Sequence, residues 1–131
     1  MVNVVMDDNT VIKAIPLFAN GSLCVIETLT TFEGFDLIFT HSVLHILTGR
    51  SIAYCRDGDI SKAIKFCNKF GYELPNKTKT MLRSFFKSSD GIALHDKIYE
   101  YVKAIGLTNA CEAQDEVHGY VSKGLIKVGN G

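Results

Sequence analysis

No unbroken apolar run in the sequence approaches the roughly 20 residues that a membrane-spanning helix requires, so no such span is expected. The opening stretch, MVNVVMDDNT, has no basic residue and carries two aspartates where a secretory leader would be apolar. That argues against export and for a cytoplasmic location, in a cell or in the cytosol of a virus-infected host. The four cysteines, Cys24, Cys55, Cys67 and Cys111, form no CxxC pair and read as reduced thiols in a core. No GxSxG, GxGxxG, P-loop or HExxH pattern is present, so no reaction class can be argued and no cofactor is expected. Net charge is also missing: 14 basic residues face 14 acidic ones, which excludes a generally basic nucleic-acid-binding protein.

What the chain has is apolar material. Hydrophobic residues make up 47% of the 131 and charged ones 21%, below the roughly 25% of an average soluble domain. Mean hydropathy is +0.13. Global disorder is excluded, because it goes with low hydrophobicity and high net charge. The length suits one domain over 1–131 that can bury a core, and no repeat, linker or low-complexity segment divides it. The mild apolar surplus is what a homo-oligomer with a buried partner surface would show.

The expected fold class is α+β: an N-terminal antiparallel β-sheet of hairpins followed by a C-terminal helical half of about four short helices. Residues 1–35 read mainly as strands, in the runs VNVVM, TVIKAIPLF and LCVIETLTTF. Asn20-Gly21 between two apolar runs signals a hairpin, and Pro16 interrupts its strand or places it at an edge. Residues 36–58 read as a helix, from an Asp36 N-cap to a Gly49 stop, and then a short strand, SIAYC, closed by the turn RDGD. Residues 59–124 read as helices. The first runs from an Asp59 cap to Gly71, the second carries Met81, Leu82, Phe85 and Phe86, and the third ends at Gly106. The fourth starts at Thr108, and residues 125–131 form a tail or a last short strand.

Charge is segregated along this chain. Residues 1–36 hold five carboxylates against Lys13, a net of −4, while residues 60–89 hold seven basic residues against Glu73, a net of +6. On a helical wheel Lys62, Lys65 and Lys69 fall opposite their apolar stripe, and Lys79, Arg83 and Lys87 form a straight i, i+4, i+8 row. With Lys77 between them, two short antiparallel helices would merge these rows into one positive face. The expected function is therefore a binding or regulatory protein that engages an anionic macromolecule, nucleic acid or acidic protein, through that face. The bland alternative is that lysines supply the wet side of two amphipathic helices. Phe70, Phe85 and Phe86 belong to the apolar stripes, which leaves Phe66 and Tyr72 as the aromatics able to reach the surface.

The stretch KIYEYVKAIGLTNACEAQDEVHGYVSKGLIKVGNG, residues 97–131, resembles a winged helix-turn-helix: a helix, a turn, a helix with a KGLI exit, then the start of a wing. The resemblance implies a nucleic-acid-reading helix, but that helix carries Glu112, Asp115 and Glu116, which repel phosphate. A copy of this kind would serve protein contact. A further alternative is a protein–protein module or inhibitor acting as a homo-oligomer. A last one is a small metal-dependent enzyme on His41 and His45, four apart in THSVLH and on one face of a helix, with Cys55, Asp57 or Asp59 as third ligand. Cys55 beside Arg56 is the one thiol whose neighbour could lower its pKa.

Overall fold

The computed structural model describes residues 1–6, 9–28 and 38–125. Strands β1 (Val2–Val5) and β2 (Val11–Ala14) form an antiparallel hairpin in which Val2 pairs with Ala14 and Val5 with Val11. A five-stranded antiparallel sheet runs in the order β3 (Phe18–Asn20), β4 (Leu23–Glu27), β5 (His41–His45), β6 (Arg50–Cys55), β7 (Thr108–Asn109). Helices α1 (Ser61–Phe70), α2 (Lys79–Phe85), α3 (Ser89–Ile105) and α4 (Ala110–Ser122) occupy the C-terminal half. This is the α+β architecture the sequence implies, with strands first and helices after. No helix among the described residues is long and apolar enough to cross a membrane.

The sheet is buried on both faces. Leu23, Val25, Val43, Ala53 and Cys55 point to one side, where Ala63, Phe66, Cys67 and Phe70 of α1 and Leu94 and Val102 of α3 cover them. Cys24, Ile26 and Leu44 point to the other, against Val4 and Ile12 of the β1–β2 hairpin. On that second side Tyr54 packs with Phe39 and with Ala113 and Val117 of α4. Burial of each large apolar side chain contributes about 1.5–3 kcal/mol, so the three layers supply the main stabilisation.

Pro16 falls in the break between β2 and β3, where the strand is interrupted. Asn20 pairs with Leu23, so the central turn residues are Gly21 and Ser22, one place later than the Asn-Gly dipeptide. Gly21 has φ 60°, the primed-turn geometry that suits the strand twist, and a Cβ there would run into the Gly71 carbonyl. The Ser22 amide donates to the Gly71 carbonyl at 2.7 Å and its hydroxyl to the Leu74 carbonyl at 2.8 Å. The hairpin tip is thus fixed to the end of α1.

The expected helix over residues 36–49 is overturned from His41 onward: His41–His45 is a central strand, followed by a turn. The cause is burial. Between β4 and β6 the strand is apolar on both faces, so HSVLHIL shows no alternation, and an unbroken apolar run does not distinguish strand from helix. The Asp36 cap lies outside the described residues, as do the tail beyond 125 and the end of the LCVIETLTTF run.

The helical half needs smaller corrections. The N-cap of α1 is Ile60, one place after the expected Asp59, whose carboxylate still accepts from the Ser61 amide at 3.0 Å. Gly106 closes α3 with φ 83°, as expected. Ser88 caps α3 through the Gly91 amide at 3.1 Å, so SSDG opens the third helix. Thr108 and Asn109 pair with Tyr54 and Ala53 of β6, so the fourth helix begins at Ala110. Strand β7 therefore separates α3 from α4, and the apolar side of α4 lies on the sheet.

Candidate ligand-binding cavity

Strand β6 is six residues long, but β7 covers only Ala53 and Tyr54. On the side away from β5 the first half of β6 has no strand neighbour, and the sheet edge is open there. The register against β5 slips at the same place, because Val43 pairs with Ala53 and Leu44 with Ser51, so Ile52 is an extra, bulged residue. Strict alternation from Ala53 would send Ile52 to the Tyr54 face. The bulge turns it to the helical side, beside Ala53.

A cavity of about 430 Å³ occupies this opening. Its floor is Ile52, with His45, Thr48 and Arg50 at the end of the β5–β6 hairpin. Leu82 and Phe86, at the α2 end, close one side, while Ile98, Tyr99 and Val102 of α3 close another. Asn109, Ala110 and Cys111 reach it from the β7–α4 junction, and Lys79 and His95 stand at its rim. The lining is mainly apolar and includes no aspartate or glutamate.

The polar groups at its edge are mostly held by protein partners. His45 is buried, with Nε2 donating to the Pro75 carbonyl at 2.9 Å and Nδ1 facing the Thr48 hydroxyl at 3.0 Å. Arg50 donates to the Met6 carbonyl at 3.5 Å and to the Asn9 side chain at 3.0 Å. The Tyr99 hydroxyl donates to Glu112 at 3.2 Å under the Lys103 ammonium, 4.4 Å from the ring centroid. His95 meets Phe86 edge-on at 6.3 Å and has Asp96 at 3.7 Å.

The basic residues singled out in the sequence are spread over two helices with different neighbours and the segments beside the second. Lys77 precedes α2 and Lys87 follows it, so the expected row of Lys79, Arg83 and Lys87 is cut after Arg83 because the helix ends at Phe85. Helix α1 packs on the sheet and on α3, and α2 is not among the elements lying closely against it. Lys62 pairs with Asp57 at 3.4 Å, and Lys69 sits over the Phe70 and Tyr101 rings at 5.7 and 5.2 Å. Lys77 lies 5.9 Å from the Phe85 ring. Lys65, Lys79, Arg83 and Lys87 are exposed. Phe66 is fully buried against Phe70 and Tyr101, contrary to the sequence reading, while Tyr72 is exposed as expected.

The histidine pair changes with its secondary structure. Four residues along a strand separate the Cα atoms by about 13 Å, whereas a helix would bring the side chains within about 6 Å. Both nitrogens of His45 are also engaged, and no group of three metal-ligating side chains occurs among the described residues. Cys55 is not activated by Arg56. Burial, with Asp57 nearby, pushes its pKa up to about 11. Burial likewise raises Cys24 to about 11 and Cys67 to about 12, which leaves exposed Cys111, on the cavity wall, as the accessible thiol.

Sequence reasoning singled out Lys79 and His45 for other roles and did not see that they share a cavity with the apolar residues around it. Ile98 and Val102 lie on the apolar stripe of α3 and look like ordinary core, and a bulge at Ile52 has no composition signal. Only the apolar surplus of the chain pointed to an unfilled surface. No protein-family model matches the chain, nor does any curated protein or solved structure.

Proposed function

We propose that this chain is a binding protein that takes a small apolar molecule into the cavity between β6, α2 and α3. The single observation that carries this reading is the apolar hollow of about 430 Å³ beside the uncovered half of β6. It falls within the roughly 300–1,000 Å³ of ligand pockets, and its few polar groups are oriented by neighbours, as pockets of that kind require. Calorimetric titration with a neutral chain alcohol such as decanol tests it. One saturable site with a negative heat-capacity change is expected. Absence of saturable heat at several temperatures would contradict the reading.

A second reading keeps the anionic macromolecule as partner, nucleic acid or acidic protein, with α2 as its contact. It is favoured by Lys79 and Arg83, exposed on a helix with no buried residue, and by Lys87 in the turn after it, all three without a carboxylate ion pair among the described residues. The remaining basic residues, Lys62, Lys65, Lys69 and Lys77, would then act only as a surrounding positive field.

A further inference from the structure

Resting on the cavity reading, we propose that the ligand is a medium-chain monocarboxylate, its apolar chain inside the cavity and its carboxylate at the rim against Lys79. Size sets the chain. At about 30 Å³ for each non-hydrogen atom, the share a water molecule takes in the liquid, the hollow of about 430 Å³ has room for on the order of fifteen of them. A carboxylate of about ten to twelve carbons fills that space, and much longer chains would protrude.

Charge sets the head. The lining holds Arg50 and Lys79 and no carboxylate, so its field favours an anion and disfavours a cation. Arg50 is directed to Met6 and Asn9, and His95 already has Asp96 beside it. Lys79 remains, exposed at the first residue of α2, with no carboxylate in ion-pair distance among the described residues. Its ammonium is a point charge on a flexible four-carbon stem, able to reach a headgroup at the rim. One such charge suits a carboxylate better than a phosphate, which is commonly held by a guanidinium fork or a row of amides.

Matched probes separate this proposal from the reading beneath it. Decanoate, decanol and decylamine share a chain and differ in head charge. Near neutral pH and at low salt, decanoate is expected to bind about three- to fivefold more tightly than decanol, the scale of a partly exposed ion pair, with decylamine weakest. Lys79→Gln should bring decanoate to the level of decanol and leave decanol unchanged, and added salt should do the same. Equal binding of decanoate and decanol by the unaltered protein would overturn the carboxylate assignment while keeping an apolar site. A preference that survives Lys79→Gln would overturn the role of Lys79. If none of the three binds, the cavity reading fails, and this proposal with it.

Discussion

The imidazole of His45 and the carbonyl of Pro75 are joined by a hydrogen bond of 2.9 Å across thirty positions of sequence. The bond ties the end of β5 to the loop that leads into α2, so one side of the cavity is pinned to the other. His45→Ala leaves the Pro75 carbonyl without its donor and opens space in the buried wall. A loss of about 2–4 kcal/mol is expected in urea unfolding, together with weaker decanol binding. Unchanged stability would mean the bond does not hold the wall.

Gly21 and Gly71 provide a second test, in the scaffold rather than the site. A methyl group on Gly21 meets the Gly71 backbone at positive φ, whereas Gly58, also at positive φ, has nothing within 4 Å of its missing Cβ. Gly58→Ala should cost only about 1–2 kcal/mol, the left-handed penalty. Gly21→Ala should cost clearly more, and equal losses would remove the close approach from the account.

The thiols carry a pH prediction with a definite sign. Burial holds Cys24 and Cys55 at about 11 and Cys67 at about 12, against an ordinary value of 9.0. Above pH 9 the unfolded chain releases protons that the folded chain keeps, so stability present below that pH falls as pH rises toward 11 to 12. Urea midpoints from pH 8 upward should fall, and Cys67→Ala should flatten part of the slope. In native buffer one thiol per chain, Cys111, should react quickly with a disulfide reagent, with decanol slowing it.

The basic residues of α2 and of the turn that follows it are tested by Lys79→Glu, Arg83→Glu and Lys87→Glu together. If α2 contacts an anionic macromolecule, fluorescence anisotropy with labelled single-stranded DNA, duplex DNA and RNA should show binding that weakens steeply with salt and vanishes in the triple variant. No binding at low salt would leave those residues as the solvated side of a short helix.

Much of this fold can be read from local chemistry. Strands β1, β2 and β4, the hairpin at Gly21, the strand SIAYC and the stripes of α1 and α3 follow from β-branched apolar runs, turn residues and helical spacing. Strand β5 does not, because a strand covered on both faces loses its alternation and His41-to-His45 then matches a helical repeat equally well. The cavity is still less legible. It arises from a two-residue strand that stops short of its neighbour and from a bulge that turns one isoleucine, and both are set by tertiary pairing. Lys79 was visible as a charge, but its position at a cavity rim was not.

The most direct measurement is a methyl NMR titration with decanol on the unaltered protein and on Ile98→Trp, whose indole would fill the hollow. Saturable shifts confined to Ile52, Leu82, Ile98 and Val102, and absent at the three remaining sites in the variant, are the expected result. Shifts spread over the whole core, or persisting beside the indole, would contradict a ligand site in this cavity.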